Sequence, residues 1–182
     1  MSQTPAVPAM DQAIARHEIE NLIARYCIAC DDRDIATLAH LFTEDAYFGA
    51  SDGSRGATGR QAIFDYYRGR FEVMGPSCHW SHDRLIEMDG PDSAKGTILA
   101  HCEFAAGGKV FVGALRYHDR YLRQDGVWRF ARRGYDSLYI LPAENYATGL
   151  SDTKRVWAYG TWYEADLPEK LDSWKTWRDV TL

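Results

Sequence analysis

Apolar side chains recur at spacings of three and four up to about residue 75 and alternate with polar side chains after it. The first pattern predicts an amphipathic helix over residues 11–30, because residues three and four apart share one helical face. A second, short helix is predicted after Asp34, which can act as its N-cap, and a third over residues 60–74. The apolar stripe of the first helix is Ile14, Ile19, Leu22, Ile23, Tyr26, Cys27 and Cys30, and that of the second is Ile35, Leu38, Leu41 and Phe42.

The alternating pattern predicts strands separated by turn residues. A short strand and a glycine-rich loop are predicted over residues 45–59, between the second and third helices. The hairpin signals are Gly107–Gly108 and Asp125–Gly126, with a further turn at Gly90–Pro91. Helices followed by an antiparallel sheet indicate an α+β fold in which the helices cover one face of a curved sheet. The four long strands are predicted at residues 78–89, 94–106, 109–123 and 126–141.

A chain of 182 residues is long enough for one domain with a substantial core. We predict a flexible arm over residues 1–10, a single domain over residues 11–142 and a tail over residues 143–182. The tail is polar but rich in large rings, so we expect it to dock on its own domain or on a neighbouring subunit. A lid over a pocket is the alternative to simple packing. The tail rings are Trp157, Tyr159, Trp162, Tyr163, Trp174 and Trp177.

The composition favours a small apolar molecule as the partner. The formal net charge is −5, so the chain has no basic footprint for nucleic acid or for an anionic membrane. The aromatic content of 13% suits either a flat-walled pocket or a well-packed core. The first residues lack the basic and apolar regions of a signal peptide, and no run reaches the roughly 20 apolar residues of a membrane span. We therefore expect no membrane partner and a cytoplasmic location.

Four cysteines raise the question of metal binding or disulfides. Cys27 and Cys30 share one helical face, and without a secretion signal reduced, buried thiols are expected. A zinc site would need a second pair of ligands, and only the pair Cys78–His79 offers anything similar. No phosphate loop or dinucleotide fingerprint is present. We therefore expect neither a metal nor a cofactor.

Asp31 falls at the inner C-terminal edge of the first helix. A carboxylate there is disfavoured by the helix dipole and by loss of water, so either a partner faces it or it caps the next helix. His79 can be that partner, because it begins a strand whose alternation aims it into a cavity below the helices and puts His82 on the other face. Alternation also turns Cys102 inward and His101 outward, although a shift of one residue would exchange them.

Several stretches of the chain resemble the SnoaL-like group of the nuclear transport factor 2-like superfamily. The resemblance covers residues 11–142 and implies a cone in which an antiparallel sheet wraps three helices around a deep apolar pocket. It also implies a homo-oligomer, either a dimer or a trimer. The stretches that carry it are "EIENLIARYCIACDDRD", "LFTEDA", "CHWSHDRLIEMDG" and "YLRQDGVWRFARRGY".

Within that group the resemblance is to lyases such as bile acid 7α-dehydratase, scytalone dehydratase and hexachlorocyclohexane dehydrochlorinase. It implies a catalytic pair formed by a helix carboxylate and a strand histidine, which are Asp31 and His79 here. A tyrosine five residues before the aspartate corresponds to Tyr26, and an arginine five residues after the hairpin tryptophan corresponds to Arg133. The bile acid enzyme has a further aspartate where we place Cys102, so the handling of the leaving group is expected to differ.

This set of side chains suits the removal of a proton from carbon. Histidine is the side chain best matched to that task at neutral pH, and the carboxylate would fix its tautomer. Tyr26 and Arg133 would stabilise charge on oxygen or on the leaving group. We therefore expect a cofactor-independent dehydratase for a hydroxylated cyclic or polycyclic substrate of steroid or polyketide type. The predicted substrate-contacting residues are Tyr47, Phe64, Trp80, Cys102, Phe104, Leu115 and Tyr135.

Other functions remain compatible with the same residues. An isomerase would use the same base and return the proton to another carbon, and a dehydrohalogenase would expel halide. A ligand-binding or assembly subunit, similar to the small subunits of ring-hydroxylating oxygenases, would need the cone without the Asp31–His79 pair.

Overall fold

A computed structural model describes residues 8–181 and has three N-terminal helices packed on one face of a mixed sheet. The order of elements confirms the predicted α+β fold. The helices are α1 (Ala9–Asp31), α2 (Ile35–His40) and α3 (Arg60–Val73). The first six strands are β1 (Phe42–Ala50), β2 (Gly56–Thr58), β3 (Met74–Gly90), β4 (Ser93–Ala106), β5 (Lys109–Gln124) and β6 (Val127–Pro142).

Three boundaries of helices and strands differ from the sequence prediction. Helix α1 starts at Ala9, so the end of the predicted arm is helical, and residues 1–7 lie outside the described residues. Strand β3 begins at Met74, directly after α3 and four positions before the predicted start at residue 78. Helix α2 ends at His40, so Phe42 belongs to β1 rather than to the helical stripe. The Asp34 side chain caps α2 by accepting from the Thr37 amide at 3.0 Å.

The strands run in the order β2-β1-β6-β5-β4-β3. The pairs β3–β4, β4–β5 and β5–β6 are antiparallel, as expected for strands joined by short turns. Strand β1 instead pairs with β6 in parallel, which corrects the prediction of a purely antiparallel sheet. The physical reason is that β1 and β6 are joined by a long connection containing α3 and four strands, and a connection of that length allows parallel pairing.

The core lies between the helices and the inner face of the sheet. Helix α1 contributes the apolar side chains that recur every three or four residues, and Tyr67 of α3 packs against the same interior. On the sheet side the interior is aromatic, since Tyr117, Tyr121 and Phe130 are buried there. This arrangement leaves the C-terminal end of α1 over the first part of β3.

A single arginine holds that end of α1 against β3. Arg33 sits in the turn after α1 with a positive φ of 57°. Its guanidinium donates to the carbonyl oxygen of Phe71 at 2.5 Å, to that of Gly75 at 2.9 Å and to that of Met74. The α3–β3 junction is therefore tied directly to the residue that follows Asp31 and Asp32.

The tail docks on its own domain, on the outer side of β6. Arg155 is buried and donates to the carbonyl oxygens of Leu138 and Leu167 and to the carboxylate of Glu169. Trp162 packs against buried residues of the outer sheet face. The tail elements are a 3-10 turn (Ala143–Asn145), α4 (Tyr146–Gly149), β7 (Val156–Ala158), β8 (Thr161–Tyr163), α5 (Asp172–Thr176) and a second 3-10 turn (Trp177–Asp179).

No helix within residues 8–181 combines the length and the apolar character needed to cross a bilayer.

Candidate active site

The structure brings the Asp31 carboxylate and the His79 imidazole into direct contact. Asp31 Oδ1 lies 2.6 Å from His79 Nδ1, although the two residues are 48 positions apart in the chain. Both side chains are partly accessible, with 24% of Asp31 and 20% of His79 exposed. The pair is therefore withdrawn from bulk water and can still be reached by a ligand.

Two further hydrogen bonds fix the Asp31 carboxylate. The Ser77 hydroxyl donates to Oδ1 at 2.9 Å, and the backbone N–H of His79 donates to Oδ2 at 2.8 Å. A carboxylate can only accept hydrogen bonds. His79 Nδ1 must then carry the hydrogen, which leaves a lone pair on Nε2. Within the described residues Nε2 has no hydrogen-bond partner.

Local sequence explains this meeting. Ser77 and His79 are two apart on β3, so they share the inner face that α1 covers. Asp31 is the last residue of α1 and follows Cys27 by one helical turn, which keeps it on the buried side. The Arg33 hydrogen bonds to the α3–β3 junction set the distance between these two elements.

Tyr26 and Arg133 meet in the buried interior. The Arg133 guanidinium carbon lies 4.2 Å from the centre of the Tyr26 ring, 3.9 Å from that of Tyr117 and 4.6 Å from that of Phe130. The Tyr26 hydroxyl is 2.5 Å from the Tyr67 hydroxyl. Burial raises the pKa of Tyr26 well above its ordinary value, so this hydroxyl stays protonated.

Arg133 also has a carboxylate partner. Its Nη1 donates to Asp119 at 3.0 Å, and both side chains are 0% exposed. The Tyr121 hydroxyl donates to the same Asp119 oxygen at 2.7 Å. The Nε and Nη2 atoms of Arg133 have no partner in the part of the chain described. Arg133 is thus a fixed interior cation that is partly compensated by Asp119.

Cys27 lies within range of both the candidate pair and the interior cation. Burial raises its pKa, the Asp31 charge adds to that shift and the Arg133 charge opposes it. The charge of Arg133 therefore reaches the helix face that carries Asp31, even though Arg133 does not contact the carboxylate.

Cys102 faces inward and His101 faces outward. Cys102 pairs with His79 across β3 and β4, and opposed residues in an antiparallel pair project to the same face. His101 pairs with Trp80 and hydrogen-bonds to His82 at 2.8 Å on the outer face. The register that the alternation predicted is the one observed. Burial raises the pKa of the Cys102 thiol to about 12, so it is a neutral group at the site.

The predicted substrate-contacting residues fall into two groups. Leu115 and Tyr135 pack against the interior core, and Phe104 stacks on Phe111 with ring centres 5.1 Å apart. Trp80 is 46% exposed on the face opposite to His79, because it is the neighbouring residue on the same strand. Phe64 is half-buried but is not packed against that core.

Tyr47 lies outside the core because, like Trp80, it is the strand neighbour of a residue that faces inward. Its hydroxyl donates to the carbonyl oxygens of Ala50 and Arg55 in the β1–β2 loop. Phe48, the next residue, is buried instead and packs against the rings of Tyr66, Tyr67 and Tyr135.

Other residues near the site were not identified from the sequence. Ser77 could have been found from its alternation with His79. Tyr66, Tyr67 and Arg70 could have been found from their helical spacing on α3, which puts them over the interior with Ile63. Arg33 carries no sequence signal, because its partners are backbone carbonyl groups.

Two surface concavities lie away from this pair. One of about 550 Å³ is lined by Leu171, Trp174 and Trp177 of the tail, and one of about 410 Å³ lies under Leu141 and Trp162. No group of three or more His, Cys, Asp or Glu side chains within residues 8–181 is arranged to hold a metal ion.

Three helices packed on a curved sheet define the nuclear transport factor 2-like fold. The sequence profile of the SnoaL-like domain matches residues 11–134. The chain therefore belongs to the SnoaL-like domain family.

The chain is similar to several enzymes. A gamma-hexachlorocyclohexane dehydrochlorinase of Sphingobium indicum is 26% identical over 136 residues, which are 73% of this chain and 86% of that protein. A scytalone dehydratase candidate from Novosphingobium aromaticivorans superposes with a TM-score of 0.70 at 20% identity, covering 74% of this chain and 91% of that one. A hexachlorocyclohexane dehydrochlorinase from Novosphingobium barchaimii superposes with a TM-score of 0.67 at 22% identity, covering 74% of this chain and 94% of that one. These structural likenesses establish the fold.

Proposed function

We propose that the protein is a cofactor-independent lyase that eliminates water from a hydroxylated cyclic or polycyclic substrate of steroid or polyketide type. One observation carries the proposal: His79 is oriented by Asp31 through Nδ1 and keeps Nε2 free within the described residues. A base with a fixed tautomer and an unoccupied lone pair is what proton removal from carbon requires. The dehydrochlorinase relative supports elimination as the class of reaction.

Proton removal begins at Nε2 of His79. The base takes a proton from the carbon next to a carbonyl group, and the electron pair forms a carbon–carbon double bond as hydroxide leaves the neighbouring carbon. Asp31 stabilises the imidazolium through the 2.6 Å contact. The proton on His79 then passes to the departing hydroxide, so one water is released and the base is restored.

Negative charge on oxygen would be stabilised from the interior. We assign this role to the Tyr26 hydroxyl as a hydrogen-bond donor and to Arg133 as a fixed positive charge. The 4.2 Å contact between the Arg133 guanidinium and the Tyr26 ring supports their acting together. Phe48, Phe104, Leu115 and Tyr135 are the proposed apolar surroundings of the substrate, together with the neutral Cys102 thiol.

Elimination of hydrogen chloride is a second candidate. The observation that favours it is the 26% identity to a dehydrochlorinase over 73% of this chain. The first step would be the same, with chloride in place of hydroxide as the leaving group, and the proton would remain on His79 until solvent removes it.

Product mass distinguishes these reactions. Purified protein is incubated with a panel of cyclic and polycyclic β-hydroxyketones and with gamma-hexachlorocyclohexane, and products are analysed by mass spectrometry. Loss of water from a hydroxyketone supports the dehydratase, and loss of hydrogen chloride supports the second candidate. A product of unchanged mass would indicate an isomerase. Ligand binding with no product from any compound would contradict a lyase and indicate a binding subunit.

Variants connect turnover to the candidate pair. His79→Ala and Asp31→Asn are expected to lower kcat by about 10²–10⁴-fold and about 10²-fold, because one removes the base and the other removes the charge that orients it. His82→Ala is the matched control, since it changes a histidine of the same strand on the outer face. Full turnover by His79→Ala would contradict the assignment.

A further inference from the structure

Arg70 is a half-buried cation next to the aromatic core. It lies on α3, is half-buried and projects from the same helical face as Tyr66 and Tyr67. Its guanidinium donates a long hydrogen bond of 3.3 Å to the Tyr66 hydroxyl, and the guanidinium carbon lies 5.8 Å from the centre of the Tyr66 ring. Among the residues that the structure describes, Arg70 forms no ion pair.

Three other withdrawn arginines have carboxylate partners. Arg133 has Asp119, and Arg155 has Glu169 together with backbone carbonyl groups. Arg60 donates to Glu44 and to the carbonyl oxygen of Phe42. Within residues 8–181 the Nε and Nη2 atoms of Arg70 have no hydrogen-bond partner and are not fully buried, so these donors are open to a ligand.

The Arg70 charge reaches a neighbour of the Asp31–His79 pair. The Cys102 thiol, directly across from His79 in the sheet, is within electrostatic range of both the Arg70 guanidinium and the Asp31 carboxylate. Tyr135 is within range of Arg70 and also of Tyr66. Arg70 and Asp31 thus act on one common neighbour from separate helices.

We propose that Arg70 binds an acidic group of the substrate, such as a carboxylate, while His79 addresses a carbon elsewhere on the same molecule. A guanidinium presents paired donors that match the two oxygens of a carboxylate. Tyr66 already lies against the guanidinium and can donate its hydroxyl hydrogen to the same group. Arg70 is therefore a specificity-determining residue, and the proposed substrate has an apolar cyclic body that carries an acidic group.

This inference rests on the proposed function for its statement about the reacting carbon, but its binding step can be tested alone. The probes are 2-naphthoate and 2-naphthamide, which share a flat apolar body and differ in charge. Dissociation constants are measured by calorimetry for the wild type and for Arg70→Gln, Arg70→Lys and Arg68→Gln. Arg68 is an exposed arginine of the same helix, so Arg68→Gln matches the change in net charge.

The expected result is a preference of the wild type for naphthoate over naphthamide by about tenfold or more. Arg70→Gln should abolish the preference by weakening naphthoate alone, Arg70→Lys should keep part of it, and Arg68→Gln should keep all of it. Thermal unfolding of each variant verifies that it is folded. If Arg70→Gln does not fold, Arg70→Lys against Arg68→Gln gives the comparison.

Three outcomes would overturn the inference. These are equal binding of the two probes by the wild type, loss of both probes together in the Arg70 variants, and an undiminished preference in Arg70→Gln. The second would mean that Arg70 only supports packing around Tyr66. His79→Ala should retain naphthoate binding, so failure of the lyase proposal and failure of the Arg70 proposal give different patterns.

Discussion

Each hydrogen bond to the Asp31 carboxylate has a separate consequence at the scale of single residues. The His79 ring bond selects a tautomer, the His79 amide bond locks the carboxylate to the strand, and the Ser77 bond keeps Oδ1 from rotating away. A base held in this way needs little reorganisation when it accepts a proton.

Removing the Ser77 hydroxyl should weaken catalysis without abolishing it. We expect Ser77→Ala to lower kcat about tenfold with KM little changed, which corresponds to ~1.4 kcal/mol, a typical value for one hydrogen bond to a charged group. Steady-state kinetics on the best substrate of the panel provide the measurement. Ser173→Ala, an exposed serine of the tail, is the control. An unchanged kcat for Ser77→Ala would show that Oδ1 is oriented without the hydroxyl.

The interior ion pair makes a different prediction, about stability. Arg133→Met would leave the Asp119 carboxylate buried and without its cation, so we expect the free energy of unfolding to fall by about 3–5 kcal/mol. Adding Asp119→Leu should recover much of this loss, because the pair is then replaced by apolar groups. Denaturant unfolding of the single and double variants measures both values. A loss of less than about 1 kcal/mol in Arg133→Met would contradict this description of the pair.

At the scale of elements, α1 and β3 were predictable in type and in orientation. The three- and four-residue spacing ending at Asp31 and the alternation through His79 both survive in the structure, because each reflects burial of one face. The same alternation excludes Trp80 and Tyr47 from the interior, although aromatic character had suggested them as substrate contacts. The aromatic character of a side chain does not indicate which face of a strand it occupies, whereas the register of the strand does.

The junction between α3 and β3 was not predictable. Strand β3 starts immediately after the helix, and the Arg33 side chain holds this junction through backbone carbonyl groups that are the same in any sequence. The parallel pairing of β1 with β6 was missed for a similar reason, since long-range pairing leaves no local signature.

Arg33 should therefore affect activity from a distance. We expect Arg33→Gln to lower kcat by about tenfold to a hundredfold, because a displacement of about 1 Å between α1 and β3 would misalign Asp31 and His79. Arg25→Gln, which changes an exposed arginine of α1, should be close to the wild type. Turnover and thermal unfolding are measured together for both variants. Equal activity of the two would mean that the Arg33 hydrogen bonds do not set the geometry of the pair.

At the scale of the whole molecule, the two faces of the sheet differ in what they contact. The inner face carries the candidate site, and the outer face packs against the tail. Val156 of β7 pairs with Ile140 of β6, and Arg155 is buried with its guanidinium fully engaged by the chain around it. Sequence indicated that the aromatic tail would dock, but not on which face, because rings signal burial without specifying a partner. Trp174 and Trp177 remain 52% and 57% exposed at its end.

Docking of the tail depends on Arg155. We expect Arg155→Ala to lower the free energy of unfolding by about 2–3 kcal/mol, since Glu169 and three carbonyl groups lose a charged donor. The same change should accelerate proteolytic cleavage after residue 142. Lys154→Ala, at the exposed neighbouring position, is the control. Cleavage at the wild-type rate would show that the tail is held by its apolar contacts alone.

The central claim is that Nε2 of His79 removes a proton from carbon while Asp31 holds the ring. Its most direct test is the rate of a single turnover with the best substrate of the panel, carrying hydrogen or deuterium at the abstracted position, in the wild type and in His79→Gln. The account predicts a slower reaction with deuterium in the wild type and a rate lower by about 10²–10⁴-fold in His79→Gln. A wild-type rate that is insensitive to deuterium, together with an undiminished rate in His79→Gln, would contradict it.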